Sequence, residues 1–248
     1  MRAYGMTDIG QNRVVNQDYI YCSQNPVGNL PNLFIVADGM GGHKAGDFAS
    51  SCAVEVFLQA VRLKKGGSPI SIIGDAIQKV NYEVYVKSKS SPEYEGMGTT
   101  LVAAVIMDRS LYVANVGDSR LYVIGDTMRQ ITRDHSLVEE MVSMGEIDKK
   151  DAKNHEKKNI ITRAVGVTSK VMADFFEVEL VEKEIVLLCS DGLTNMIEEA
   201  DIFHIVNQEQ ETTEGKVLRL IELANRNGGR DNISVIIIEP DKFEVQVC

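Results

Sequence analysis

Short apolar, β-branched runs recur at 19–22, 33–37, 99–107, 111–116, 121–124, 175–180, 185–189 and 233–238, each bounded by Gly, Asp, Asn or Ser. Runs of this length with such boundaries are strands. The breaks at 108–110 and 117–120 are short enough for hairpins, so these neighbours are expected to run antiparallel. Helical spacing appears at 45–64, with Ala49, Cys52, Ala53, Val56, Phe57, Ala60 and Val61 on one stripe, and at 70–87, with Ile73, Ile77, Val80 and Val84. A second helical pair falls at 198–207 and 214–225, carrying Ile202, Ile205, Val206, Val217, Leu220, Ile221 and Ala224 inward. Two helices, a run of strands, more helices and a last strand do not alternate as βαβ units would. The expected class is therefore α+β, antiparallel sheets layered with helices. Residues 136–158 are charged and only weakly amphipathic, and they read as a surface excursion. With 5 prolines and no repeat or low-complexity tract, residues 1–240 are expected to form one domain, followed by a short tail at 241–248.

Charge excludes one class of partner. Lys and Arg number 26 against 36 Asp and Glu, a net charge of −10 in 248 residues, which lacks the basic footprint of a nucleic-acid binder. The N-terminal residues carry no apolar signal-peptide core, and the apolar runs are too short to span a bilayer, so a cytoplasmic protein with no membrane insertion is expected. Cys22, Cys52, Cys189 and Cys248 are scattered without a Cys-x-x-Cys pair, which argues against structural zinc or a disulfide framework. Cys52 and Cys189 are expected to be buried thiols. Abundant surface charge without a long apolar stripe points to a monomer.

The positions of the aspartates carry the chemistry. Asp38 follows Leu-Phe-Ile-Val-Ala, Asp118 follows Tyr-Val-Ala-Asn-Val-Gly, Asp191 follows Ile-Val-Leu-Leu-Cys-Ser, and Asp231 immediately precedes Asn-Ile-Ser-Val-Ile-Ile-Ile. Asp18 opens a further strand. An Asp-Gly pair by itself marks a turn; carboxylates capping several apolar strands are another matter, because strand ends share one sheet edge. Gathered there they repel and are desolvated. Hard divalent cations relieve that, and oxygen donors select Mg²⁺ or Mn²⁺ over zinc. Glycines after Asp38 and Asp191 let backbone approach, so the Gly39 carbonyl is a candidate ligand. Arg13, just upstream of Asp18, offers a guanidinium fork for a phosphate. The stretch 38–43 lacks the Gly-Lys-Ser/Thr ending of a phosphate-cradling Walker loop.

Taken in order, Arg13-Val-Val-Asn-Gln-Asp18, Asp38-Gly-Met-Gly-Gly-His43, Gly96-Met-Gly-Thr-Thr100, Val116-Gly-Asp-Ser-Arg120, Asp134-His-Ser136, Ser190-Asp-Gly-Leu193 and Gly229-Arg-Asp-Asn232 resemble the metal-dependent Ser/Thr protein phosphatases, the type 2C (PPM) family, in its compact bacterial branch. The likeness runs from about residue 2 to residue 239. It implies a four-layer αββα sandwich, two antiparallel sheets flanked by helix pairs, with the site at one edge and a flap over about 137–158. It implies that Asp38 bridges two Mn²⁺ or Mg²⁺ ions, with the Gly39 carbonyl on one and Asp191 and Asp231 on the other. Asp118 with Asp191 would hold a third, and Asp18 would serve a metal directly or through its water. Arg13 would grip the substrate phosphate. The implied reaction is hydrolysis of phosphoserine and phosphothreonine in proteins by a metal-activated bridging water, without a phosphoenzyme. The implied partners are phosphorylated proteins, including a cognate Ser/Thr kinase.

Two departures from the wider family stand out. Met40 occupies the place of a His proposed elsewhere as general acid, and a thioether donates no proton. His43 or a metal-bound water must then protonate the leaving alkoxide, although His43 is as readily an ordinary hydrogen-bond partner of its loop. Gln17 stands where many eukaryotic members place a metal-ligating Glu, so one metal would bind more weakly or through extra water. Adjacent Asp134, His135 and Ser136 cannot assemble a catalytic triad, whose members converge from separate segments. A haloacid-dehalogenase-type phosphatase would need Asp-x-Asp at the first strand and alternating βα units, and both are missing. A catalytically silent metal-binding scaffold that docks phosphoproteins is the remaining alternative; the full carboxylate set favours activity.

Overall fold

A computed structural model describes residues 1–41, 45–152 and 155–240, the side chain of Lys149 excepted. In β3 (Leu33–Met40) the apolar run is continuous because both faces are covered. Phe34 and Val36 point one way, into a core shared with a second sheet, and Leu33, Ile35 and Ala37 point the other way, beneath helices. The same alternation organises β2 (Asp18–Ser23), β5 (Leu101–Met107), β6 (Ser110–Val116) and β9 (Asp174–Glu179), which with β3 form an antiparallel sheet in the order β2-β3-β5-β6-β9, β4 (Gly98–Thr99) pairing β3 at its end. The second sheet, also antiparallel, runs β1 (Arg2–Asp8), β11 (Ile233–Glu239), β10 (Ile185–Cys189), β7 (Arg120–Ile124), β8 (Met128–Gln130).

Helices cover the outer faces. On one sheet lie α1 (Ala45–Leu63) and α2 (Pro69–Ser88), the latter started by Ser68, whose hydroxyl accepts the Ser71 N–H, with Pro69 in its first turn. On the other lie α6 (Glu199–Val206) and α7 (Thr213–Arg226), whose Val217, Leu220, Ile221 and Ala224 pack on Ile233, Val235 and Ile237. Between the sheets sit Phe34, Val36, Val102 and Ala104 against Leu121, Val123, Val186, Leu188, Ile236 and Ile238. The expected α+β class and αββα layering are what the chain adopts. The excursion after Gln130 contains α3 (Leu137–Ser143), capped by Ser136, and α4 (Lys149–Ala152); α5 (Asp191–Thr194) is a single turn after β10. Among the described residues no helix is long and apolar enough to cross a membrane.

Some expectations shift. β1 and the short β8 were not foreseen: Arg-Ala-Tyr-Gly-Met-Thr-Asp is too polar to read as a strand, and its seven residues pair along the whole of β11. The run expected at 99–107 breaks at Thr100, whose N–H and hydroxyl are both turned onto the Asp38 backbone. Cys189 is buried as expected, whereas Cys52 is only partly covered on the flank of α1.

Candidate metal and phosphate site

Strand ends set this site. Asp18, first residue of β2, pairs directly with Asp38 near the end of β3. Asp118 follows β6 after Gly117, Asp191 begins the turn after β10, and Asp231 precedes β11. The two sheets thus bring five carboxylates of distant sequence position to one edge. Their electrostatics report the crowding. Burial, then Asp18, Asp191, Asp118 and Asp231, push the Asp38 carboxyl well above the usual range. Burial with Asp191 and Asp134 raises Asp118 to about 8, against a backbone hydrogen bond and Arg120, which lower it. Asp18 is raised to about 7, chiefly by burial, although hydrogen bonds from Ser234 and Ser190 pull it down. Asp191 is raised to about 6 by burial and Asp231, while Asp38, Arg120 and Arg13 pull it down.

The donor set suits a hard divalent cation. Asp18 Oδ1 and Asp118 Oδ1 are buried oxygens without a hydrogen-bond partner, a costly condition that a cation relieves. Among the described residues no three Asp, Glu, His or Cys side chains close on a common point as a finished cage would. Ions here would complete their shells with a backbone carbonyl and water, as Mg²⁺ and Mn²⁺ tolerate. Gly39, whose carbonyl is the candidate, is tightly enclosed: a Cβ on it would run into the carbonyl oxygens of Gly46 and Gln17. Only glycine fits between β3 and the start of α1.

Arg13 Nη2 donates to Asp231 Oδ2 at 2.7 Å, on a half-exposed loop. Asn232 builds that loop. Its amide nitrogen donates to the Ile9 and Val15 carbonyls at 2.9 and 3.1 Å, and its oxygen accepts the Gln17 N–H at 2.9 Å. Gly229 accepts the Gln11 and Asn12 N–H groups. Asn232→Ala would remove its three side-chain bonds to Ile9, Val15 and Gln17, at roughly 1–3 kcal/mol. The expected result is a melting temperature lower by about 2–4 °C per kcal/mol lost, read by thermal unfolding of the metal-free protein; an unchanged value contradicts this role.

Beside Asp118 and Asp191 opens a cavity of about 760 Å³, walled by Arg133, Glu139 and Lys158 of the excursion and by Glu198 across from it. The Asp134, His135 and Ser136 side chains go to separate partners. Asp134 takes a forked ion pair from Arg120, and Ser136 caps α3. His135 Nδ1 accepts the Gly117 N–H at 3.0 Å and its Nε2 faces Asp174 at 3.1 Å. His204 is exposed on α6. His43, the candidate acid, lies outside the described residues.

Residues 9–219 match the family model described as protein phosphatase 2C. The chain belongs to the protein phosphatase 2C family. It is 44% identical over 246 residues to the "Serine/threonine phosphatase stp" of Listeria monocytogenes serotype 4b, covering 97% of this chain and 96% of that protein. The crystal structure of Ser/Thr phosphatase Stp1 from Staphylococcus aureus superposes with a TM-score of 0.89 at 34% identity, over 96% of this chain and 94% of that one. The catalytic domain of Ser/Thr protein phosphatase PstP in complex with two manganese ions superposes with a TM-score of 0.82 at 32% identity, over 95% and 96%.

Several supports of the site in this phosphatase escape a reading of the sequence. Thr100 Oγ1 accepts the Asp38 N–H at 2.9 Å, Thr99 Oγ1 donates to the Asp38 carbonyl at 3.0 Å, and Thr100 Oγ1 lies 2.7 Å from the hydroxyl of Ser119, next to Asp118. The Gly-Thr-Thr and Gly-Asp-Ser-Arg motifs therefore act on each other through hydroxyls. The motifs themselves were the available signal; spacing alone does not reveal which backbone each hydroxyl holds.

Proposed function

We propose that this phosphatase hydrolyses phosphoserine and phosphothreonine in proteins with two Mn²⁺ or Mg²⁺ ions held by Asp38, Asp191, Asp231 and the Gly39 carbonyl. Asp118 with Asp191 would hold a third ion, and Asp18 would serve directly or through water. The observation that carries this reading is the gathering of Asp18, Asp38, Asp118 and Asp191 into one crowded edge, every one of them with a carboxyl raised by burial and by its neighbours. PstP with its two manganese ions supports it. When bound, such cations supply an acidified water and neutralise phosphoryl charge.

The chain's own residues supply orientation. Asp231 holds one nitrogen of Arg13 at the mouth of the site, which leaves the remaining donors of the guanidinium for phosphoryl oxygens. Asn232 fixes the loop from which Arg13 projects. Met40 offers no proton to the leaving alkoxide, and His43 is the residue proposed for it, or else a water of the site. The cavity beside Asp118 gives room for polypeptide next to the phosphorylated residue. A Ser/Thr kinase is the partner class proposed among the substrates.

The test is turnover of a phosphothreonine peptide and of p-nitrophenyl phosphate with Mn²⁺ by wild type and by Arg13→Ala. The expected loss in Arg13→Ala is about 10²-fold in kcat/KM, the scale for removing one charge-stabilising donor, with preference for the peptide in wild type. Equal activity of the two proteins would remove Arg13 from phosphate binding. Tight Mn²⁺ binding without turnover of either substrate would favour the silent scaffold.

A further inference from the structure

Ser234 breaks an apolar pattern. On the inner face of β11 it alternates with Ile236 and Ile238, which pack between the sheets. Ser234 and Ser190 are both 0% exposed. A buried hydroxyl is costly unless bonded, and alanine would fill the same place without that cost. The two serines are locked together: the Ser190 N–H donates to the Ser234 carbonyl at 3.1 Å, and the Ser234 N–H donates to Ser190 Oγ at 3.0 Å. Each hydroxyl then reaches the same atom, Asp18 Oδ2, at 2.7 Å. Those are short, charge-assisted bonds. They run from the ends of β10 and β11 in one sheet to β2 in the other, so the carboxylate is clamped across the interface between sheets.

The clamp is one-sided. Oδ2 takes both hydroxyls, while Oδ1 of the same carboxylate is buried and without a partner. Ser234 Oγ also lies 2.8 Å from Thr7 Oγ1, which accepts from Asn16 Nδ2 at 2.9 Å, and Asn16 Oδ1 accepts the Asp18 N–H at 3.1 Å. The backbone N–H and one carboxylate oxygen of Asp18 are thus fixed by Asn16, Ser190 and Ser234, and a single oxygen is left over.

We infer that Ser190 and Ser234 are positioning residues that lock Asp18 Oδ2 and thereby reserve Oδ1 for a divalent cation or its water. The inference rests on the metal-site reading above and goes beyond it in assigning which oxygen serves and what holds it. Outer partners of metal ligands typically change affinity by about 10–100-fold when removed. Ser190→Ala and Ser234→Ala are each expected to weaken Mn²⁺ binding about 10-fold, at the low end of that range, because either hydroxyl alone still restrains the carboxylate.

The experiment titrates Mn²⁺ into the EDTA-stripped full chain, following free Mn²⁺ by its electron paramagnetic resonance signal, with thermal unfolding of each stripped variant as the folding control. Ser234→Thr, which keeps a hydroxyl, is expected to restore wild-type affinity. In an Asp18→Asn background the serine substitutions are expected to add no further loss, since they act only through Asp18. Unchanged affinity in Ser190→Ala and Ser234→Ala while Asp18→Asn weakens binding would overturn this inference alone, leaving the serines a purely structural role. A serine effect that persists undiminished in the Asp18→Asn background would overturn it too. If neither Asp18→Asn nor Asp38→Asn alters Mn²⁺ affinity, the metal-site reading itself falls.

Discussion

Asn in place of Asp38 is expected to abolish metal-dependent turnover and, at the same time, to raise the melting temperature of the metal-free protein. The two effects have one cause. Asp38 is surrounded by Asp18, Asp191, Asp118 and Asp231, and its carboxyl is pushed well above its ordinary value by burial and then by these four. An uncharged amide of the same shape removes both penalties, but it also removes the group proposed to bridge two ions. Loss of activity is expected to reach about 10³-fold or more, the scale of a principal charge-stabilising contact. Each unit of pKa displacement is worth about 1.4 kcal/mol, and about 2–4 °C follows for each kcal/mol in a chain of this size. Most core substitutions destabilise, so a higher melting temperature in an inactive variant distinguishes a crowded ion site from an ordinary buried aspartate. Phosphate release and differential scanning calorimetry read the two effects; a lower melting temperature would contradict the account.

The second large effect is on pH dependence without metal. The ordinary value for these carboxyls is 3.8, and burial with mutual repulsion pushes Asp191 up to about 6, Asp18 to about 7 and Asp118 to about 8 in the folded chain. Between about pH 4 and 8 the folded state therefore holds more protons than the unfolded one, and stability falls as pH rises. The favourable contribution is complete below the unfolded value and is lost as pH climbs through these folded values. Stripped protein is accordingly expected to melt several degrees higher at pH 5 than at pH 8, and the advantage of Asp38→Asn is expected to widen towards pH 8. Mn²⁺ is expected to oppose the trend, because it binds the folded state alone and needs the ionised carboxylates that high pH supplies. Thermal unfolding at pH 5 and 8, with EDTA and with Mn²⁺, gives the four values. A stripped protein more stable at pH 8 would contradict the mutual repulsion of the aspartates.

Much of this was legible in the residues because two independent constraints coincide. Strands buried on both faces must be nearly continuous apolar runs, so β3, β5, β10 and β11 stand out, and an Asp at the end of such a run has no packing reason to be there. Helices α1, α2, α6 and α7 appear within a residue of their expected bounds, since each has a single apolar face and a polar one. β1 was hidden because an edge strand needs little hydrophobicity once β11 offers its full length of backbone. The supports were hidden for a different reason. Asn232, Ser190, Ser234 and Thr100 act through hydrogen bonds to residues as far as 227 positions away, and no local pattern encodes the partner of a hydroxyl or an amide. The rejection of a triad at 134–136 rested on geometry that the chain itself imposes, and Arg120 and Gly117 are the partners those residues find instead.

The central claim is that the crowded aspartates exist to hold divalent cations for phosphoprotein hydrolysis. Its most direct test is release of inorganic phosphate from a phosphothreonine peptide by EDTA-stripped protein as Mn²⁺ is titrated in at fixed pH. Phosphate release should be absent at the start, rise with Mn²⁺ to saturation and vanish again with excess EDTA. Turnover that persists undiminished in EDTA, or saturation with Mn²⁺ that yields no phosphate, would contradict it.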